Sequence, residues 1–147
     1  LRDIGKLAIS DTILRKPGPL SEAELAEVRR HPRLGHELLS GSSSRFVQVG
    51  ATIALGHQER WDGSGYPDGL SGEDIPLPAR IVAVADVLDA MTSPRPWRQA
   101  HPFAAAMDFI KSGAGTVFDP AVVSAALARR ERLEEVFRMV TPGQAGA

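Results

Sequence analysis

The sequence predicts an all-α protein, and three observations lead to this prediction. Apolar residues recur at helical spacing in successive segments, and proline or glycine separates these segments sharply. No stretch shows the sustained alternation of apolar and polar residues that is typical of a strand. The chain has 147 residues, of which 43% are hydrophobic and 24% are charged. This length and composition predict one globular domain over 1–140 and a frayed tail at 141–147.

The predicted helices follow one another with clear start signals. Ser21 and Glu24 form a capping-box pair at the start of the first helix, and proline in the first turn marks the starts of three later ones. The helical segments are 21–30, His31 to Gly41, Phe46 to Glu59, Ala79 to Met91, a segment from His101, Ala121 to Arg130 and the amphipathic Glu131 to Val140. A glycine-rich run from Asp62 to Pro76 is too long for a tight turn and predicts a structured loop.

Charge and cysteine content exclude several classes of function. The chain carries 17 basic and 18 acidic residues, so no overall field attracts it to nucleic acid or to an anionic membrane. Because it has no cysteine, any metal must be held by histidine and carboxylate. The longest apolar run is far too short to span a bilayer. We therefore expect a cytoplasmic protein that binds neither DNA nor a membrane.

Asp86 is the residue that a simple helical core explains least. It stands in the nearly apolar segment Ala79 to Met91, which predicts a helix buried on most of its surface. A buried carboxylate costs several kcal/mol unless a cation accompanies it. An arginine or a metal ion would supply that charge, and the sequence pattern leaves both open.

Two histidines and a second carboxylate stand at similar places. His57 ends an apolar helix, His31 begins a helix, and Asp3 lies between apolar residues. Taken singly, each is more often a core histidine or a helix cap than a ligand. Their occurrence together with Asp86 favours a metal centre. A mixture of imidazole and carboxylate suits iron, manganese or zinc better than magnesium or calcium.

Arg95 and Arg98 form a basic pair with Trp97 between them. Such a pair can bind phosphate through two parallel hydrogen bonds, and the aromatic ring can stack on a base. An exposed basic turn is the more frequent explanation for this pattern.

Six motifs occur in order between Leu1 and about Leu127. They are Asp3-Ile4-Gly5-Lys6, His31-Pro32-x-x-Gly35, the run His57 to Pro67, Gly72-Glu73-Asp74-Ile75-Pro76, the run Ala79 to Asp86, and Gly115-Thr116-x-Phe118-Asp119-Pro120. Together they closely resemble HD-GYP domains, a branch of the HD superfamily of metal-dependent phosphohydrolases. The resemblance is specific, because chance rarely produces both the Asp62 to Pro67 run and its spacing to Asp86.

This resemblance implies a helical bundle that hydrolyses cyclic di-GMP with metal-activated hydroxide. By position, Asp3 is similar to the family's bridging aspartate, and Lys6 is similar to the lysine that approaches the scissile phosphate. These two are the implied catalytic residues. His31 and His57 are similar to ligands of one metal, and Asp86 to a ligand of another.

The resemblance also implies substrate and partner contacts. Arg95 and Arg98 match basic positions that contact the dinucleotide in the family, as Lys6 does. The segment Gly63 to Pro67 is expected to form a lip beside the pocket and to offer a surface for a diguanylate cyclase domain. The family's N-terminal helices, which supply a further ligand, are expected to be absent from this chain.

Two departures from the family pattern concern metal ligands. Arg2 stands where the family has histidine, and Gln58 stands where it has a second histidine. Arginine cannot ligate a metal and stays charged. We therefore expect the site nearest Asp86 to be empty. At most one ion, iron or manganese, is expected at the remaining ligands, or none.

These departures predict a cyclic di-GMP signalling domain that binds or regulates, with weak or no phosphodiesterase activity. The alternative is an active metal-dependent phosphodiesterase, which the preserved Lys6 and glycine-rich loop favour. A purely structural helical domain is the third reading. If Arg2 replaces a metal, its guanidinium should lie near Asp3 and Asp86 as an ion pair.

Overall fold

A computed structural model describes residues 1–94 and 98–140. Arg95 and the predicted tail lie outside the described residues. Within them the chain is helical, with one isolated β-bridge between Ala114 and Phe118, and the all-α prediction is confirmed. The chain divides into two compact units, 1–83 and 84–147, and the boundary lies inside one helix.

The seven predicted helices are present in the predicted order, with small differences at their ends, and a short helix at Asp11–Leu14 was not predicted. They are α1 (Asp11–Leu14), α2 (Glu22–Val28), α3 (His31–Ser40), α4 (Arg45–Gly56), α5 (Leu77–Thr92), α6 (Phe103–Ser112), α7 (Pro120–Ala128) and α8 (Arg130–Val140), with short 3-10 helices at Ile4–Ala8 and Gly72–Asp74. The Ser21–Glu24 capping box is present. No helix within the described ranges is both long and apolar enough to cross a membrane.

The first unit is built around small residues where its helices meet. The 3-10 helix Ile4–Ala8 packs on α3, and α3 packs on α4. Gly5 approaches α3 so closely that a Cβ atom there would lie 2.0 Å from the carbonyl oxygen of His31. At the same contact, Gly35 of α3 lies against both Gly5 and the buried Ala54 of α4. This close packing brings the N-terminal residues beside the start of α3.

The second unit has an apolar core of its own. Buried side chains from α5, α6, α7 and the preceding turn form it: Val84, Phe103, Met107, Ile110, Phe118 and Val123. Phe137 of α8 packs on this core, with its ring centroid 5.7 Å from that of Phe103. The Asp119 carboxylate caps α7 by accepting a hydrogen bond from the Ala121 N–H at 2.7 Å.

Most residues of α5 are buried or half-buried, as predicted, but one stripe of the helix is exposed. Leu77 and Ile81 are about half exposed, and Ala85 and Asp89 continue the exposed stripe at every fourth residue. Asp86 is half-buried. Apolar composition alone does not reveal which face of a helix its neighbours cover.

The close approach at Gly5 makes a testable prediction. Gly5→Ala should lower the free energy of unfolding by about 3 kcal/mol, because its Cβ atom would overlap the His31 backbone and force two segments apart. Urea denaturation measures the change. Gly41→Ala is the control, since a Cβ atom there meets nothing within 4 Å and the backbone is already α-helical. Equal stability of the two variants would contradict the packing described.

Candidate metal centre

Three potential ligand atoms converge in the first unit. Oδ1 of Asp3 lies 3.6 Å from Nε2 of His31 and 3.8 Å from Nε2 of His57. The two imidazole Nε2 atoms are 3.3 Å apart. The structure thus brings together three of the four residues that the sequence proposed as ligands.

Each of the three side chains stands at the end of a helix. Asp3 immediately precedes the 3-10 helix, His31 is the first residue of α3, and His57 directly follows α4. His31 is 1% exposed and His57 is 5% exposed, whereas Asp3 is half-buried at the opening. The two imidazoles are therefore the buried part of the cluster, and the Asp3 carboxylate is its partly exposed part.

Backbone carbonyl groups orient both imidazoles. Nδ1 of His31 lies 2.7 Å from the Val28 carbonyl oxygen, and Nδ1 of His57 lies 3.0 Å from that of Ala54. Since a carbonyl oxygen only accepts, each Nδ1 carries the proton and donates it. In the neutral rings both Nε2 atoms then present lone pairs to each other. A metal cation or an added proton relieves the resulting repulsion, and histidine ligands of metals are commonly oriented in this way.

The spacing of the donor atoms fits a transition metal. A point equidistant from the two Nε2 atoms and Asp3 Oδ1 lies about 2.1 Å from each of them, which agrees with the bonds of about 2.0–2.2 Å that zinc makes to histidine and carboxylate. Three protein ligands leave coordination positions for water or substrate, as in catalytic rather than closed structural sites.

Two cations share the Asp3 carboxylate. Nζ of Lys6 lies 2.8 Å from Oδ1, and Nη1 of Arg2 lies 3.4 Å from Oδ2. Burial alone would raise the pKa of this carboxyl, but the Lys6 hydrogen bond and charge and the Arg2 charge lower it, so the pKa lies below its ordinary value. Asp3 is therefore ionised at neutral pH, the form that a metal ligand requires.

The remaining predicted site residues do not belong to this cluster of three donors. Asp86 belongs to the second unit, and its approach to Arg2 or to a metal stays a prediction. Arg98 is exposed, and its guanidinium donates a hydrogen bond to the Ala90 carbonyl oxygen. Arg95 lies outside the described residues. Gln58 is half-buried, and its backbone carbonyl accepts a hydrogen bond from the Tyr66 N–H at 3.2 Å.

Glu59, which was not among the predicted functional residues, holds the glycine-rich loop. Glu59 is 4% exposed, and its carboxylate accepts hydrogen bonds from the N–H groups of Asp68 at 2.7 Å and Leu70 at 3.1 Å. The loop also returns close to its own start, since a Cβ atom at Gly65 would lie 2.4 Å from the Arg60 nitrogen. A carboxylate three residues before the glycine-rich run was the available signal.

Tyr66 connects this loop to the metal centre. Its ring meets the His31 ring edge to face, with 6.4 Å between centroids, and the Arg29 guanidinium lies over it at 5.5 Å. Burial raises the pKa of the Tyr66 hydroxyl, Arg29 opposes this shift and the Asp3 charge adds to it. The phenol is therefore protonated at neutral pH, beside the cluster.

Comparison with known proteins agrees with this geometry. The HD domain family model matches residues 1–122. The chain belongs to the HD domain family. This membership, with relatives named as cyclic di-GMP phosphodiesterases, confirms the predicted resemblance to HD-GYP domains. HD domain phosphohydrolases bind divalent metals, and the three-donor cluster is consistent with this property of the family.

Two curated relatives align with nearly the whole chain. The cyclic di-GMP phosphodiesterase response regulator RpfG of Xanthomonas campestris is 57% identical over 136 residues, which are 92% of this chain and 36% of that protein. A cyclic di-GMP phosphodiesterase of Thermotoga maritima is 46% identical over 138 residues, covering 94% of this chain and 38% of the relative. The chain thus spans little more than a third of the length of these relatives.

A solved structure shares the fold. The crystal structure of the cyclic GMP-AMP specific phosphodiesterase V-cGAP3 of Vibrio cholerae matches with a TM-score of 0.55 and 22% identity, over 91% of this chain and 36% of that one. At this identity the match supports the all-α HD fold.

The Glu59 contacts predict a specific loss of stability. Glu59→Ala should lower the free energy of unfolding by about 2–3 kcal/mol, because two N–H groups lose a charged acceptor. Urea denaturation followed by circular dichroism measures it. Glu73→Ala removes an exposed carboxylate from the same loop region and should change stability by less than about 0.5 kcal/mol. A Glu59 variant as stable as the Glu73 variant would contradict the anchoring role.

Proposed function

We propose that the chain is a cyclic di-GMP-binding signalling domain that holds at most one divalent metal, iron or manganese, and has weak or no phosphodiesterase activity. The observation that carries this proposal is the position of Arg2. Its Nη1 atom lies 3.4 Å from Oδ2 of Asp3, at a place where the family resemblance expects a histidine ligand.

The two oxygens of Asp3 face different groups. Oδ1 faces the Nε2 atoms of His31 and His57 and also contacts the Lys6 ammonium, whereas Oδ2 faces the Arg2 guanidinium. A carboxylate that bridges two metals needs both oxygens. Arg2 has no lone pair to offer a metal, and its charge stands at the second oxygen. The donors among the described residues therefore support a single metal site.

The proposed nucleotide ligand rests on the relatives and on the charges around the cluster. Relatives named as cyclic di-GMP phosphodiesterases support this dinucleotide as the ligand. Lys6 is 41% exposed while it contacts Asp3, so its ammonium is available to a phosphate at the opening. Arg95 and Arg98 are proposed as further phosphate contacts.

If metal is bound, Asp3, His31 and His57 would hold it, and it would supply Lewis acidity and a water of lowered pKa. The chain's own residues have separate tasks. The Val28 and Ala54 carbonyls keep both imidazoles in the tautomer that offers Nε2. The Lys6 ammonium would stabilise the negative charge of a phosphodiester beside Asp3.

The alternative function is active hydrolysis of cyclic di-GMP. The retained three-donor cluster with Lys6 beside it favours this reading. Two measurements separate the binding function from active hydrolysis. One is product formation when the chain is incubated with cyclic di-GMP and manganese or iron, and the other is calorimetry of cyclic di-GMP binding. Binding with little product supports the first proposal, and rapid turnover supports the alternative.

The loop Gly63 to Pro67 is proposed as a surface for a diguanylate cyclase domain. Ser64 at its tip is exposed, while Glu59 fixes the base of the loop from inside. Such a loop presents side chains on a rigid support, which suits recognition of another protein.

The single-site proposal predicts the metal content. After purification with added manganese or iron, the chain should hold no more than one ion, because Asp3, His31 and His57 form one adequate donor set. Elemental analysis measures the ratio. His31→Ala should reduce it towards zero, and Arg2→His combined with Gln58→His should raise it. Two tightly held ions in the wild-type chain would refute the proposal.

The phosphate contacts predict the affinity for cyclic di-GMP. Replacement of both Arg95 and Arg98 by alanine should weaken binding at least tenfold, since charge-assisted hydrogen bonds to phosphate are lost. Calorimetry measures the change. The double variant Arg132→Ala, Arg138→Ala removes the same charge from exposed positions of α8 and should bind like the wild type. Unchanged affinity in the Arg95, Arg98 variant would place that pair on an uninvolved surface.

A further inference from the structure

Arg29 and Tyr66 form a cation–π pair at the edge of the metal centre. The Cζ atom of Arg29 lies 5.5 Å from the centroid of the Tyr66 ring. The Tyr66 ring also contacts the His31 ring edge to face, at an interplanar angle of 81°. The pair is therefore continuous with the cluster through His31, although neither residue belongs to the ligand set.

The Arg29 guanidinium differs from the neighbouring cations in its electrostatic surroundings. Those neighbours are paired with carboxylates: Arg2 and Lys6 with Asp3, Arg30 with Glu27, and Arg33 with Asp68. Among the described residues, no carboxylate lies within ion-pair distance of Arg29, and its side chain is exposed. Its N–H donors are available to a ligand that approaches the cluster.

Both members of the pair are fixed by backbone hydrogen bonds. Arg29 caps the C-terminus of α2, where its N–H donates to the Leu25 carbonyl at 2.9 Å. Tyr66 is half-buried and donates its N–H to the Gln58 carbonyl at 3.2 Å. The backbones that carry both side chains are thus held in place, and the Tyr66 ring gives the guanidinium a supporting contact. Such preorganisation reduces the entropy lost on binding.

The chemistry of the pair fits a guanine base better than a phosphate. A guanidinium on an aromatic ring presents a flat cationic surface and a fork of donors. That fork matches the adjacent O6 and N7 acceptors of guanine, whereas adenine places an amino donor next to N7. Lys6 already offers a cation to phosphate at the cluster itself, so Arg29 is placed to contact another part of the same ligand.

We propose that Arg29, supported by Tyr66, binds the O6 and N7 edge of one guanine of cyclic di-GMP and thereby selects guanine over adenine. This inference rests on the proposed binding of cyclic di-GMP. Arg29 would recognise a base, whereas the metal donors and Lys6 act on the phosphates.

Calorimetry with cyclic di-GMP and cyclic di-AMP tests the proposal, because the two ligands have the same cyclic sugar-phosphate backbone and differ only in their bases. Arg29→Ala should weaken binding of cyclic di-GMP by about tenfold to a hundredfold and leave any binding of cyclic di-AMP unchanged. Arg30→Ala is the matched control, since it removes the same charge from the adjacent, carboxylate-paired residue. Thermal unfolding of each variant verifies that the fold is retained.

Arg29→Lys separates base recognition from simple charge. Lysine keeps the positive charge but lacks the planar fork, so this variant should bind cyclic di-GMP as weakly as the alanine variant. Rescue by lysine, or an equal loss for both dinucleotides, would assign Arg29 to a phosphate and overturn the proposal. This comparison remains decisive if cyclic di-AMP binds too weakly to measure.

The outcomes distinguish this inference from the function on which it rests. Wild-type binding of cyclic di-GMP that Arg29→Ala leaves intact overturns the guanine contact alone. Absence of wild-type binding overturns both. Tyr66→Leu should weaken cyclic di-GMP binding as Arg29→Ala does, whereas Tyr66→Phe, which keeps the ring, should retain most of the affinity. Equal affinities of these two Tyr66 variants would show that the ring does not support Arg29.

Discussion

Two hydrogen bonds from imidazole Nδ1 atoms to main-chain carbonyls determine what the candidate site can do. They fix the rings of His31 and His57 in the tautomer whose Nε2 lone pairs face one point. Burial keeps water from relieving the repulsion between these lone pairs, so the arrangement favours a cation. The close packing of Gly5 on α3 then places the Asp3 carboxylate at the same point. The donor set is thus a product of helix ends rather than of a flexible loop.

The positive charges around Asp3 limit how many metal ions its carboxylate can bind. One carboxylate oxygen lies toward the imidazoles, and the other is engaged by the guanidinium of the preceding residue. A guanidinium brings one positive charge that cannot be titrated away at working pH, whereas a second metal would bring two and would bind water. In the single-metal proposal, Arg2 therefore preserves the electrostatic stability of the carboxylate in place of a second metal, at which a nucleophile could be generated.

The sequence allowed prediction of the features that depend on local chemistry. The capping box at Ser21 and the cap at Asp119 are encoded within a few residues, and the family motifs grouped the three donors. Two features could not be predicted. The exposed stripe of α5 depends on which neighbours cover the helix, and apolar composition does not specify this. The Glu59 carboxylate binds N–H groups nine and eleven residues away, which carry no side-chain signature.

The way in which Glu59 holds the loop affects how the loop can change. The carboxylate binds main-chain N–H groups, which every residue except proline possesses, so the anchor does not depend on the identity of the side chains at 68 and 70. Exposed side chains such as those of Ser71 and Glu73 take no part in this anchor. Substitutions at these positions alter the outer surface while the backbone that carries Tyr66 keeps its Glu59 anchor. The exposed side chains of the loop can therefore change during evolution toward new binding partners, while the position of Tyr66 beside the metal centre stays constant.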